Sequence, residues 1–72
     1  MIPAWLLGMQ RHCQRRFADC EVDVSVRDMG AFCGVMVKQR DGWRHTVAVC
    51  SDDSPRDVAD SLEKAVMARR MR

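Results

Sequence analysis

The feature that most constrains the fold is a region of alternating apolar and polar residues, interrupted by two glycine turns, that occupies residues 21–50. Its first part, EVDVSVRD, alternates three valines with polar residues and predicts a strand with one buried face. A three-residue loop ending at Gly30 and a two-residue loop, Asp41-Gly42, are typical of β-hairpins, because glycine accepts positive φ angles. The predicted antiparallel strands are residues 21–28, 31–40 and 43–50.

The two predicted loops also fix which residues face each other. A type I′ turn at Asp41-Gly42 places Cys33 opposite Cys50, and the first loop places Val26 opposite Phe32. The predicted core face consists of Val22, Val24, Val26, Phe32, Met36, Val47 and Val49. The predicted opposite face consists of Asp23, Ser25, Arg27, Cys33, Val35, Val37, Gln39, Arg44, Thr46, Ala48 and Cys50.

Helical patterns flank the predicted strands on both sides. At the N-terminus, Pro3 suits a first helical turn, and a stripe with helical spacing follows. That stripe is Ile2, Leu6, Met9, Cys13 and Phe17. The second helix begins with Ser54 as N-cap, Pro55 at its first position and Asp57 in its first turn. Its predicted inward stripe is Val58, Leu62, Ala65, Val66 and Arg69.

These elements predict an α+β fold in the order helix-strand-strand-strand-helix. We expect one domain over residues 1–72, with an antiparallel three-stranded sheet and both helices packed on one face of it. A chain of 72 residues buries only roughly 60% of the surface of its unfolded state, so stability should be modest.

Composition narrows the class of protein. No apolar run in the sequence is long enough to span a bilayer, so we expect no membrane partner. A secretory signal has basic residues before its apolar stretch, whereas here they follow it, so we expect a cytoplasmic protein. The four cysteines lack metal-ligand spacing and are interpreted as small buried apolar residues, with no metal or cofactor. Cys33 and Cys50, if opposite, would be able to form a cross-strand disulfide on oxidation. The net charge of +2 is too small to define a nucleic-acid-binding protein by itself.

Catalytic patterns are missing from the sequence. The two histidines, His12 and His45, have no assignable partner, and the carboxylates cluster where capping of the second helix explains them. None of the glycines forms a phosphate-binding loop. We therefore expect that the chain is not an enzyme.

The order of elements resembles the double-stranded-RNA-binding domain family, in which both helices lie on one side of the sheet. The resemblance implies RNA contacts from the first helix, the first hairpin loop and a basic cluster at the start of the second helix. At that last position this chain reads SDDSPRD, with Asp52, Asp53 and Asp57 in place of basic residues. The resemblance is therefore one of topology, without the basic motif that contacts RNA.

A nucleic-acid interface remains an alternative because basic residues surround the second hairpin. Trp43 would stack or wedge between bases, and arginines of the first helix would contact phosphates. The predicted contacts are Arg11, Arg15, Arg16, Lys38, Arg40, Arg44 and His45. A structural interpretation is also open, in which Arg40 and Trp43 form a cross-strand cation–π pair.

The favoured hypothesis is a small protein-binding module, because the non-core sheet face has an apolar strip with a polar rim. The predicted partner-binding residues are Val35, Val37, Gln39, Arg40, Trp43, Arg44, Thr46 and Ala48. The partner would be a second copy, giving a homodimer, or another protein, as for phage or plasmid inhibitors of the anti-CRISPR or anti-restriction class. The alternative is that these strands merely tolerate β-branched residues on a face that is partly exposed to solvent.

Overall fold

The computed structural model describes residues 1–18 and 21–71 of the protein. The elements are α1 (Ala4–Arg16), β1 (Asp23–Asp28), β2 (Cys33–Lys38), β3 (Arg44–Val49) and α2 (Pro55–Arg70). The strands form one antiparallel sheet in the order β1-β2-β3, and α1 contacts β1 while α2 contacts β3. The predicted α+β fold, with both helices on one sheet face, is confirmed, as is the topology of the double-stranded-RNA-binding domain family.

The first helix buries the stripe that its periodicity predicts. Leu6, Met9 and Cys13 are buried in α1, and Phe17 is buried directly after it. Ile2 is exposed, because the helix begins only after Pro3 and the chain before it does not continue the helical stripe. The stripe is therefore one turn shorter than the sequence predicts.

The second helix begins where the sequence predicts, with Ser54 as N-cap and Pro55 at its first position. The side chain of Ser54 makes no capping hydrogen bond; instead its carbonyl accepts a hydrogen bond of 3.1 Å from the backbone N–H of Val58. Proline at the first position removes one of the N–H groups that a cap would otherwise satisfy. The buried residues of α2 are Val58, Ala59, Leu62 and Val66.

The strand register differs from the predicted one in both hairpins. Val26 pairs with Val35 instead of Phe32, and Cys33 pairs with Val49 instead of Cys50. The first difference is three residues and the second is one. Because side chains alternate between faces with a period of two, each odd shift inverts one strand relative to its neighbour. The two shifts cancel at β3, so only β2 is inverted relative to the prediction.

The conformation of the second loop explains the shift between β2 and β3. Gly30 and Gly42 have positive φ angles, as predicted, but Asp41 does not, so the second loop is not a type I′ turn. The N–H of Gly42 donates to the carbonyl of Gln39 at 3.0 Å, and the N–H of Gln39 donates to the carbonyl of Trp43 at 2.9 Å. This is a three-residue loop that ends in a bulged glycine. It is one residue longer than predicted.

The inversion of β2 places its valines against the helices. Val35 and Val37 have no accessible surface and lie in the core with Leu6 and Leu62, so the prediction that both valines line an exposed surface is wrong. Val24, Val26 and Val49 of the flanking strands are buried as predicted.

The cysteines follow the corrected register. Val49 lies opposite Cys33, which makes the predicted Cys33–Cys50 pairing wrong. Cys13 is buried, Cys33 is half-buried and Cys50 is exposed, while Cys20 lies outside the described residues. The interpretation of the cysteines as buried apolar residues is thus confirmed for Cys13 and wrong for Cys50.

Candidate binding surface on the open sheet face

One face of the sheet is not covered by either helix in the part of the chain that the structure describes. We call it the open face. Its residues are Asp23, Ser25, Arg27, Phe32, Gly34, Met36, Lys38, Arg44, Thr46 and Ala48. The residues that β1 and β3 contribute are those the sequence predicts. The residues of β2 are new, because the inversion exchanges its valines for Gly34, Met36 and Lys38 and brings Phe32, directly before the strand, to the same face.

An apolar groove of about 280 Å³ lies on the open face. Phe32 and Met29 are about half exposed, with 48% and 53% of their surface accessible, and they form one end of the groove. The remaining lining residues are Arg27, Gly34, Met36 and Thr46. Exposed aromatic and methionine side chains beside a basic residue are typical of protein-binding surfaces.

Gly34 forms the floor of this groove because it has no side chain. A Cβ atom at this position would lie 3.1 Å from Cγ2 of Thr46 and 3.7 Å from the carbonyl of Val47. Any larger side chain would extend into the groove beside Thr46. The depth of the groove therefore depends on glycine at this one position.

A charged row crosses the open face at the end nearest the second hairpin. Lys38 lies between Asp23 of β1 and Arg44 of β3. Lys38 and Arg44 are both exposed and directly opposite, and like charges in such a pair are destabilising. Together with Arg27, the open face carries three positive charges and one negative charge, so it favours an acidic partner.

At the end of the second hairpin, Arg69 of α2 contacts three residues of the loop region. Its guanidinium lies 5.1 Å from the ring centroid of Trp43, and it donates hydrogen bonds to the carboxylate of Asp41 and the side-chain oxygen of Gln39. The Trp43 ring is stacked on that of His45, with centroids 6.2 Å apart. The predicted Arg40–Trp43 pair is replaced by Arg69–Trp43, which joins the end of α2 to the hairpin.

Charge supports this contact near neutral pH. The hydrogen bonds from Arg69 lower the pKa of Asp41, which keeps the carboxylate ionised, and a backbone hydrogen bond from the N–H of Trp43 adds to this effect. Trp43 therefore stays packed on the helix-covered side of the sheet, in contact with Arg69. Gln39 and Trp43 thus have structural contacts, whereas Arg40 is exposed in the loop.

The basic residues of α1 differ in their contacts. Arg11 and Arg15 are exposed, and Nε of Arg15 donates to the carbonyl of Arg11 at 3.4 Å. Arg16 instead donates to the carboxylate of Asp60 at 2.7 Å and lies 3.8 Å from that of Glu63. The structure therefore separates the predicted nucleic-acid contacts, with Arg11, Arg15 and Arg16 on the helical layer and Lys38 and Arg44 on the open face. His45 is half-buried on the helix side of β3.

The thiols of Cys13 and Cys50 are poorly suited to nucleophilic chemistry. The thiol of Cys50 donates hydrogen bonds to the carboxylates of Asp52 and Asp53, and these bonds raise its pKa to about 11. Burial raises the pKa of Cys13. Since the thiolate is the reactive form, both groups are protonated and weakly reactive near neutral pH. Among the described residues, no group of three or more His, Cys, Asp or Glu side chains is arranged to hold a metal ion.

Of the predicted partner-binding residues, Arg44, Thr46 and Ala48 are exposed and lie together on the open face. The prediction missed Met29, Phe32, Gly34 and Met36, because β2 carries apolar residues at both odd and even positions and its sequence is compatible with either orientation. The available signal was Gly34, since a glycine inside a strand indicates a close approach or an open site.

Comparisons with protein-family models, with curated proteins and with solved structures found no match. No helix in the described ranges is long and apolar enough to cross a membrane.

Proposed function

We propose that this chain is a small, non-catalytic protein-binding module and that the open face is its binding surface. The observation that supports this most directly is the apolar groove floored by Gly34 and lined by Arg27, with Lys38 and Arg44 farther along the same face. It combines an apolar centre with a charged rim, which is the usual composition of a protein interface. The proposal replaces Val35 and Val37 by Met29, Phe32 and Met36 as the apolar contacts.

The charge of the open face favours a different protein over a second copy as the partner. A two-fold face-to-face dimer would pack together two copies of a face that carries the same three positive charges, Arg27, Lys38 and Arg44. Only Asp23 on each copy would compensate them. A partner surface with apolar and acidic side chains avoids this repulsion. The homodimer is therefore the secondary form of this proposal.

A role as a phage- or plasmid-type inhibitor that acts in the cytoplasm by docking on a host protein belongs to the same proposal. It rests on the small size of the domain and on a binding surface without reactive groups. The weakly reactive thiols of Cys13 and Cys50 support a function by binding. The partner would then be a host protein with an acidic, apolar surface.

The experiment compares proteins captured from cells of the source organism by three forms of the chain. Met36→Glu places a carboxylate in the groove, whereas Met67→Glu changes an exposed methionine of α2, away from the open face. We expect a partner that wild type and Met67→Glu retain and that Met36→Glu loses. Phe32→Ser serves as a second groove variant if Met36→Glu does not fold. Equal capture by all folded variants would contradict the open face as the binding surface.

Nucleic acid is the second candidate, favoured by the adjacent Lys38 and Arg44 on the open face and by Arg40 in the loop beside it. Its test is titration of duplex RNA and DNA at low and physiological salt, because phosphate contacts weaken steeply as salt increases. Binding that is lost with Lys38→Glu/Arg44→Glu, together with no specific protein capture, would replace the first candidate by this one.

A further inference from the structure

The two edges of the sheet differ in how their backbone groups are used. In an antiparallel ladder, hydrogen-bonded pairs alternate with non-hydrogen-bonded pairs. The bond from the N–H of Gln39 to the carbonyl of Trp43 fixes this alternation for β3, so that His45, Val47 and Val49 bond to β2. The N–H and C=O groups that point outward from β3 are therefore those of Arg44, Thr46 and Ala48.

On the other edge, α1 contacts β1 and supplies a hydrogen bond to it. The Nε2 of Gln14 donates to the carbonyl of Val24 at 3.3 Å, so an outward-pointing group of β1 is already used. Within residues 1–18 and 21–71, the outward groups of Arg44, Thr46 and Ala48 have no such partner. Along residues 44–48 the β3 edge thus presents its outward groups unoccupied, whereas α1 already occupies one outward group of the β1 edge, so we take β3 as the edge that pairs with a further strand.

The side chains of Thr46 and Ala48 do not close the groove on the side of the β3 edge. Thr46 and Ala48 are small, and Thr46 itself lines the groove beside Gly34. At the other end of the strand, Arg44 lies opposite Lys38 without a carboxylate within ion-pair distance in the described part of the chain. A fourth strand would therefore meet apolar space at Thr46 and Ala48 and uncompensated positive charge at Arg44.

We propose that the β3 edge binds an extended segment of a partner protein as a fourth, antiparallel strand. Residues opposite Ala48, Thr46 and Arg44 would project onto the open face, in that order along the bound segment. The segment therefore has the pattern apolar-x-apolar-x-acidic, with its acidic side chain beside Arg44. This inference rests on the proposed function and specifies the form and chemistry of the partner.

An extended segment fits this edge better than a second copy of the chain does. Pairing β3 with β3 of a second copy would set the two strands about 4.8 Å apart. Because α2 contacts β3 on the helix-covered face, the two copies of α2 would then also approach closely, whereas packed helices need axes about 8–10 Å apart. A bound peptide brings no helix to this position.

The experiment selects binders to the full chain from a displayed library of random heptapeptides. We expect the selected peptides to share the apolar-x-apolar-x-acidic pattern and to bind through their backbones. N-methylation of the residue opposite Thr46 should weaken binding at least about tenfold, since a ladder hydrogen bond is lost and its acceptor is left unpaired. N-methylation of the following residue, whose N–H points away from β3, is the matched control and should change affinity little.

Variants of the protein give a second, independent readout. Thr46→Pro removes only the outward N–H, which proline tolerates on an edge strand, and should abolish binding, while Thr46→Ala retains that N–H and should preserve it. If Thr46→Pro does not fold, the pair of N-methylated peptides decides.

Several outcomes would overturn strand addition. Selected peptides whose binding is insensitive to N-methylation but lost with Met36→Glu would leave the proposed function standing and reject this edge. A dimer in sedimentation that Thr46→Pro dissociates would show that a second copy occupies it. Failure to select any peptide, together with no groove-dependent capture from cells, would reject both proposals.

Discussion

The two faces of the sheet are built from the same three strands yet have opposite properties. On the covered face, Val35 and Val37 are fully buried against the helices, whereas on the open face Phe32 remains about half exposed and Gly34 leaves a groove. Both sets come from β2 and the residue directly before it, and they alternate along this segment. The comparison shows that the apolar content of β2 does not decide which set is buried, and that the register of β2 against its two neighbours fixes it.

The valines are the better core residues for a physical reason. Their branched side chains are stiff and fit between a pleated sheet and a helix layer. Phe32 and Met36 are longer and more flexible, and methionine in particular adapts to irregular or changing contacts. The side chains that are left on the open face are thus the ones better suited to binding a partner.

The largest loss of stability is expected from a charge introduced on the covered face. Val35→Glu/Val37→Glu should abolish folding, because an unpaired carboxylate buried at either position costs several kcal/mol, against a total stability of about 5 kcal/mol for a small domain. Loss of a cooperative urea transition, followed by circular dichroism, measures it. Ala48→Glu, on the open face, is the control and should change stability by no more than about 0.5 kcal/mol. Normal folding of the double variant would mean that β2 has the opposite orientation.

A smaller effect is expected at the hairpin end, where Trp43 and Arg69 hold α2 against the covered side. Trp43→Ala should lower the free energy of unfolding by about 2 kcal/mol, roughly half the loss for a fully buried tryptophan, because the ring is only half-buried. Urea unfolding measures this loss. Arg70→Ala, at the exposed neighbour of Arg69, is the control and should leave the transition unchanged. A loss no larger than that of Arg70→Ala would remove the contact from the account of stability.

Lowering the pH should reduce the free energy of unfolding, because it protonates carboxylates that form ion pairs on the helix side of the sheet. Arg69 lowers the pKa of Asp41, and Arg16 lowers that of Asp60, in each case from an ordinary value of 3.8. A carboxyl whose pKa is lowered by folding stabilises the native state above its unfolded pKa, and that contribution is lost as pH falls through the folded value. Stability should therefore decline below about pH 4. Asp41→Asn should make this decline shallower in urea titrations at successive pH values, and an unchanged slope would exclude Asp41 as a source.

The smallest effect is expected on the open face itself. Gly34→Ala adds a Cβ 3.1 Å from Cγ2 of Thr46, which has to move slightly, but alanine also reduces the entropy of the unfolded chain. The two contributions oppose each other, so we expect a net change within about 0.5 kcal/mol. Urea unfolding measures it. A loss above about 2 kcal/mol would indicate that Gly34 is packed as tightly as the core.

The fold was predictable because its local signals are strong and consistent. The stripe in α1, the N-cap of α2 and the alternation in β1 each depend on spacing within a single element. The site was only partly predictable. Thr46, Ala48 and Arg44 were assigned to the open face correctly, but only because the two register errors cancel at β3.

The remaining contacts depend on residues that are distant in sequence. Arg69 and Trp43 meet because α2 runs back along the hairpin, and no local pattern indicates that Arg69 instead of Arg40 covers the ring. Arg16 and Asp60 meet across the helix pair for the same reason. Sequence reasoning assigned Arg16 to binding because a sequence shows its charge but not the carboxylate of Asp60 opposite it.

The amino-acid sequence by itself determined the elements, their order and the two glycine turns, since propensity, periodicity and turn chemistry act over a few neighbouring residues. The tertiary structure alone decided which side of β2 is buried, because either side is apolar enough and the choice depends on packing against α1 and α2. That choice created the groove at Gly34, so the candidate binding surface is a product of packing and not of any motif.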